Sequence, residues 1–343
     1  MTAEERQALH DAVVDACGGA DSPGWNPKAW KALDQMGVTS LSVSEAAGGG
    51  GADLSTAAVV LIALGSLGVS VPVAETGLMA GWLMERARAR LPEGIVTAAI
   101  GDTLELHPDE GRWLVSGTLP RVPWARHADH AVVLSRFESS RYAVVVPLSG
   151  AQLGHGTNVA GEPRDDVMLR AAAVPAADVY RLDGPELAVD LLRRGAFGRS
   201  ALMAGAAQGV YAYAARYAGE RRQFGRPLSA MQAVQQLLAG LAAEASAMTV
   251  AAEAAAAADH DPAGSWTLDA ARIRIAEAAG NVAAMGHQIL GAIGFTDEHP
   301  LHHLTTRLWA WREEYGNDAA WSDRLGADLA GEDGASLWQR ITR

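Results

Sequence analysis

Cysteine is almost missing from this sequence, with Cys17 the one thiol in 343 residues. That excludes an intrachain disulfide and fits a reducing cytoplasm. Lysine is nearly as scarce: Lys28 and Lys31 are the only two among 28 basic residues, a usage compatible with a GC-rich source. Positive charge is in deficit overall. A net charge of −12 argues against a general binder of nucleic acid or anionic membrane, since nothing offsets phosphate repulsion. Long apolar runs are also absent. The most apolar stretch, Thr56 to Val73, is interrupted by Gly65, Ser66, Gly68, Ser70 and Pro72, and reads as a buried helix followed by a loop rather than a membrane span. No basic-then-apolar stretch opens the chain, so no signal peptide is expected. No solenoid-period repeat and no Ser-His-Asp or Cys-His constellation stands out. The glycines at 48–51 lack the following Lys-Ser/Thr of a phosphate loop, so they read as a bend between helices.

What is present is ordinary for a globular protein: 49% hydrophobic and 20% charged residues. The length calls for two or three packed units. Helical patterns cover Glu4 to Ala16, Pro27 to about Gly37, Leu54 to Gly68 and Glu75 to Leu91. After Pro92 the pattern changes to short Val-, Leu- and Ile-rich runs at Ile95–Ile100, Arg112–Ser116, Ala131–Ser135, Tyr142–Pro147 and Val167–Ala173. Turn residues separate them, as in a small antiparallel sandwich or barrel. Asp183-Gly184-Pro185 then caps a helix running to about Gly219. Helices from Ser229, from Thr267 to Leu290 and from Pro300 to Tyr315 follow, and together these four suit a four-helix bundle. The alanines at 254–258 belong to the second of them, with Asp259-His260-Asp261-Pro262 as its stop. The expected class is mixed and mainly α: an N-terminal helical domain at 1–92, a small central antiparallel β-domain at 93–182, a C-terminal four-helix bundle at 183–331, and a tail at 332–343.

The stretch from Arg221 to Gln236 carries the most information. Pro227 ends one helix and Ser229 opens the next, with Gln232 placed to complete a capping box. Met231, Val234, Leu238, Leu241, Ala245 and Met248 form one apolar stripe. A cationic, glycine-containing corner between two long helices suits a phosphate or pyrophosphate; a solvated interhelical turn is the alternative. His287-Gln288-Ile289-Leu290-Gly291-Ala292-Ile293-Gly294-Phe295 ends the third helix, where two glycines free the backbone to approach a ligand. A glycine C-cap explains that segment equally well. His299, His302 and His303 with Asp297 and Glu298 suggest no closed ligand set, and no metal is expected.

Arg221, Phe224, Gly225 and Gln232 stand in the order and spacing of the Arg-x-x-Phe-Gly…Gln segment of acyl-CoA dehydrogenases, and the resemblance extends over nearly the whole chain. Glu45-Ala46-Ala47-Gly48-Gly49 resembles the family's Pro-Glu-x-x-Gly-Gly turn, with Ser44 in place of the proline. Val174–Tyr180 resembles its exit from the β-domain. Gln288–Phe295 is similar to its Gln-x-x-Gly-Gly-x-Gly-Phe loop, with Ala292 replacing one glycine. The resemblance implies the family fold and FAD as cofactor. Arg221, Phe224 and Gln232 would then belong to the site of an FAD bound mainly by a neighbouring subunit, with Arg221 reaching its pyrophosphate and Gln288, Gly291 and Gly294 its adenosine-diphosphate half. Trp124 falls where the family has an aromatic strand beside the flavin; plain core packing is the alternative. The family's Thr-Glu-Pro-type segment has no counterpart in Ala98–Asp102, so the β-domain looks pared down.

The resemblance also implies α,β-dehydrogenation of a CoA thioester, for which a carboxylate must take the α-proton. The family keeps that glutamate at one of two places. Here those places hold Tyr315 and Gly195. Glu314 lies one residue from the first, which turns the side chain by about 100° on a helix. Glu313 and Glu314 are therefore the candidate bases, against a reading as a solvated carboxylate pair flanked by Arg312. With its short β-domain and Trp- and Arg-rich last helix, the chain resembles the smaller, base-lacking subunits of heteromeric actinobacterial acyl-CoA dehydrogenases of steroid degradation. The expected partner is a second such subunit in a heterotetramer, with FAD shared across the interface. A non-catalytic cofactor-clamping partner, a homo-oligomeric enzyme using Glu314, and a helical scaffold without flavin remain as alternatives.

Overall fold

The computed structural model describes residues 1–18, 24–258, 264–331 and 334–341. The N-terminal helices are α1 (Ala3–Cys17), α2 (Pro27–Gln35) and α3 (Leu54–Leu67). A π-helical segment, Ala74–Gly81, continues directly into α4 (Trp82–Arg86). Local chemistry fixes the boundaries. Thr2 and Glu5 make a reciprocal capping box at α1. Asn26 caps α2 with Pro27 in its first turn, and Asp53 caps α3, which Gly68 closes in the left-handed conformation.

Two four-stranded sheets follow. One has the order β1 (Val96–Gly101), β4 (His130–Phe137), β5 (Ser140–Pro147), β8 (Val179–Leu182). The other runs β2 (Glu105–Asp109), β3 (Arg112–Pro123), β7 (Arg164–Pro175), β6 (Gln152–Gly154). Their facing residues, among them Val115, Leu119, Val133, Val144 and Val167, form a core of their own. The pairings are antiparallel except one: β1 lies parallel to β4, a departure from the expected all-antiparallel arrangement. In β3, Leu119 pairs with Val167 but Val122 pairs with Asp165. One extra residue is thus accommodated as a β-bulge at Pro120-Arg121.

Helix α5 (Leu187–Glu220) is the axis of the C-terminal part and packs on α3, α6 (Gln232–Ala257), α7 (Gly264–Leu290) and α8 (Leu301–Arg312). The α3–α5 crossing is unusually close. A Cβ on Gly65 would lie 2.1 Å from the Leu202 carbonyl oxygen, and one on Gly205 would lie 2.0 Å from that of Ile62. Only glycine permits this approach. Two further helices follow: α9 (Asp318–Leu329), a fifth helix within the range expected for the four-helix bundle, and α10 (Gly334–Ile341), in the region expected to be tail.

Several boundaries differ from expectation. Glu186, not Asp183, precedes α5, without a side-chain cap. Ser229 lies in a 3-10 turn (Leu228–Ala230), and α6 begins at Gln232 after an uncapped Met231. The expected capping box is not formed; instead the Gln235 side chain donates to the Ser229 carbonyl at 2.9 Å. The stop expected at residues 259–262 lies outside the described residues. Among the described residues α6, not the Thr56–Val73 stretch, is the one helix long and apolar enough to cross a membrane, at a mean hydropathy of 1.3. Here it packs against α5 and α7.

Candidate functional site

A cavity of about 510 Å³ opens between the β-domain and the C-terminal end of α8. Strand residues Ala98, Ile100, Val122 and Pro123 form one wall, and Trp309, Glu314 and Tyr315 form another, with Met79 and Leu192 beside them. That size and mostly apolar lining suit a small organic ligand.

The turn after α8 is held by one buried guanidinium. Arg272 of α7 donates through Nη2 to the carbonyls of Trp311, Arg312, Glu314 and Gly316 at 2.8–3.0 Å. It satisfies acceptors that a helix C-terminus leaves open. Burial, with Arg199 nearby, pulls its pKa down to about 10. The turn itself is sharp, with Tyr315 at φ 57° and Gly316 at φ 93°. This conformation carries the Tyr315 ring over Gly195 of α5, where an added Cβ would stand 2.6 Å from the ring carbons. The Arg199 guanidinium lies 5.3 Å from the ring centre on another side, and the Tyr315 hydroxyl donates to Glu75 at 3.3 Å. Burial first, then the Glu75 charge, pushes the phenol well above its ordinary pKa. The two positions at which a base was sought are therefore in contact, and each occupies the space of the other.

Glu314 is not the solvated carboxylate that its neighbours Arg312 and Glu313 suggested. It accepts from Arg164 Nε and Nη2 at 2.8 Å each, from Arg199 Nε at 2.6 Å and from Asn158 Nδ2 at 2.9 Å. Burial alone would raise its pKa, but Arg164 and Arg199 more than reverse this and hold the carboxyl well below the usual carboxylate range. Glu313 is the exposed member and pairs with Arg312 at 3.0 Å.

Glu314 belongs to a buried network that joins all parts of the fold. Arg199 also pairs with the fully buried Glu75 on the π-helical segment. Arg164 pairs with Glu162 at 3.0 Å, and Glu162 in turn accepts from Trp311 Nε1 at 2.9 Å and from Ser70 at 3.0 Å. Arg307 lies 3.6 Å from Glu162. Three carboxylates thus face three guanidinium groups. Sequence reasoning assigned no site role to Glu75, Glu162, Arg164, Arg199 or Arg307. The one signal was an isolated Arg199 in the small, apolar run from Ala196 to Ala207, where a charge needs a buried partner.

The expected cofactor residues lie elsewhere. Arg221 follows the end of α5, and Phe224, at φ 53° and 91% exposed, forms with Gly225 the tip of a hairpin between β9 (Arg222–Gln223) and β10 (Arg226–Pro227). The guanidinium groups of Arg221, Arg222 and Arg226 are exposed and have no partner among the described residues. Gln232 is exposed at the start of α6. Gln288 and Gly291 are exposed at the end of α7, whereas Gly294 is buried against Leu290 and Leu301. The segment that follows this loop lies beside the C-terminal third of α5, where the rings of Tyr213 and His299 are 5.4 Å apart. From Gly195 to Glu220 the rise along α5 is roughly 37 Å, so the cationic hairpin is remote from the cavity of its own chain.

Trp124 was expected beside the flavin, with core packing as the alternative. It is 2% exposed, at φ 60°, with its ring 5.9 Å from Trp25 and the Arg164 guanidinium 5.9 Å from its centre. That burial favours the core-packing alternative. Around the C-terminal histidines, His302 lies 3.9 Å from Asp297, and no metal-holding group of three occurs among the described residues.

Residues 183–320 match the family described as Acyl-CoA dehydrogenase, C-terminal domain. The chain is 30% identical over 320 residues to Acyl-CoA dehydrogenase IpdE2 of Mycobacterium tuberculosis, covering 87% of this chain and 89% of that one. Its fold is similar to the ChsE4-ChsE5 complex from Mycobacterium tuberculosis, with a TM-score of 0.86 and 22% identity over 97% and 99% of the two chains. The Tcur3481-Tcur3483 steroid ACAD G363A variant matches with a TM-score of 0.81 and 24% identity over 97% and 99%.

Proposed function

The chain belongs to the acyl-CoA dehydrogenase family of flavin-dependent oxidoreductases, and from that premise we propose that it is the base-lacking subunit of a heteromeric enzyme in the cytoplasm. The reaction is α,β-dehydrogenation of a CoA thioester, with a steroid-derived acyl group suggested by the names of similar proteins. The observation that carries this reading is the state of the cavity. Glu314 is held as an anion by two arginines, Glu313 is exposed and paired, and Tyr315 is a phenol whose proton is harder to remove than usual. A general base needs a pKa near the working pH and a free lone pair, and none of these groups offers both. The proton acceptor therefore comes from a companion chain.

FAD is the family's cofactor and, when bound, supplies the acceptor for the β-hydride. The residues present fit its pyrophosphate at the hairpin, where three unpaired guanidinium groups offer bidentate donors. Their distance from the chain's own cavity supports a cofactor shared with a neighbour. Arg221→Ala in the native assembly is expected to lower flavin content per protein after gel filtration. Full occupancy would remove Arg221 from the site. Flavin bleaching by an acyl-CoA added to this chain alone, once loaded with FAD, would restore the self-sufficient enzyme.

A further inference from the structure

The β-bulge in β3 puts an unusual residue on the cavity wall. Pro120 and Arg121 together stand opposite Asp166, and Pro120 brings no N–H to the ladder. Arg121 adopts φ 51°, a left-handed conformation uncommon for a residue with a side chain. The Asp166 carboxylate pins it there by accepting the Arg121 amide N–H at 2.8 Å. Bulges next to binding sites re-aim side chains, and a backbone held in a sparsely populated region points to a local purpose. Arg121 lines the cavity, is exposed, and its guanidinium has no partner among the described residues.

The charge balance around the cavity sharpens this. On the far wall Glu314 and Arg164 belong to the buried network in which Glu75, Glu162 and Glu314 are matched by Arg164, Arg199 and Arg307. At the rim Glu313 is matched by Arg312. Asp166 meets the Arg121 backbone and makes no ion pair with its side chain. Of the two arginines that line the cavity, Arg164 is paired with Glu162 and Glu314, whereas the Arg121 side chain has no carboxylate partner among the described residues, and Met79, Ala98, Ile100, Val122 and Leu192 supply apolar wall. Such a site fits a molecule with an apolar body and one anionic end.

We propose that Arg121 is an anion-reading subsite, selecting CoA thioesters whose acyl group carries a carboxylate away from the thioester. This rests on the reading that the cavity receives an acyl group. It adds a substrate class to that reading and involves no covalent step.

The test is equilibrium binding to the full-length chain by titration calorimetry. The probes are adipoyl-CoA, hexanoyl-CoA and free hexanoate; the two thioesters share every phosphate and differ in the distal carboxylate. Adipoyl-CoA is expected to bind at least about tenfold more tightly than hexanoyl-CoA, the scale of one charge-assisted hydrogen bond. Arg121→Gln should bring the two within about twofold of one another and leave hexanoyl-CoA unchanged. Arg121→Lys should restore part of the preference. Equal binding of the two thioesters to the parent chain, or a preference that survives in Arg121→Gln, overturns the subsite. If neither thioester binds but hexanoate binds in an Arg121-dependent manner, the subsite stands and the acyl-CoA reading of the cavity fails. If no probe binds, the subsite fails. A melting curve for each variant confirms that the fold is retained.

Discussion

Neutralising Glu314 separates a structural carboxylate from a catalytic one. Four donors converge on it: two from Arg164, one from Arg199 and one from Asn158. In Glu314→Gln one oxygen still accepts, but the new amide nitrogen points its hydrogens at a guanidinium. One positive charge of the buried network is then left without its counter-ion. Removing one partner of a buried pair costs about 3–5 kcal/mol. With an unfolding entropy of about 2.1 cal/mol/K per residue, this lowers Tm by roughly 4–7 °C for a chain of this length. Differential scanning calorimetry of parent and variant at neutral pH reads the shift. Turnover of the complete assembly, measured well below either Tm, should change little. A base would behave in the opposite way: an unchanged Tm, with turnover lower by about two to four powers of ten. That result would refute the assignment of Glu314 to the scaffold.

The same network predicts an acid limb of stability. Burial opposes ionisation of Glu314 and Glu162, but the arginines hold both carboxyls below their ordinary values. Their contribution is thus complete above about pH 5 and is lost as pH falls through the unfolded value near 4.3 toward the folded ones. Tm should fall over that window, less steeply in Glu314→Gln; Asp269, raised by burial, works against the trend. A Tm independent of pH below 5 would contradict this. Gly195→Ala tests the other contact. Its Cβ would stand 2.6 Å from the Tyr315 ring, so the ring must move, at about 1–3 kcal/mol. An unchanged Tm would show that Tyr315 is not seated where described.

Much of the fold is legible in the sequence because its helices carry long apolar stripes. Leu241, Ala245 and Met248 are buried on α6 at the expected three-four spacing, and Ile275, Ala278 and Val282 on α7 repeat it. The strands missed are short or irregular: β2 contains Pro108, β6 has three residues, and β8 has four. The parallel β1–β4 pair leaves no mark on alternation, because side-chain period does not depend on strand direction. The site was less legible. The partners of Glu314 come from 115 and 150 residues away, so its flanking charges gave a misleading impression of solvent. Trp124 combines a left-handed backbone, φ 60°, with 2% exposure, and no local residue announces that conformation. Arg121 had one available clue, the proline before it, since proline inside a strand marks an edge or a bulge.

The contact of Tyr315 with Gly195 has a consequence for how the chain can change. The two positions share one volume, so a carboxylate placed at either by a single substitution disturbs the packing of the other. At 195 a longer side chain meets a ring already in the way. At 315 the loss of the ring leaves a void over the α5 backbone and removes the bond to Glu75. Reversal is a two-residue move through an intermediate that folds less well than either end, an epistatic ratchet set by packing. On the proposed reading, dependence on a companion chain is then kept by packing alone, even where the joint active site gains nothing from it.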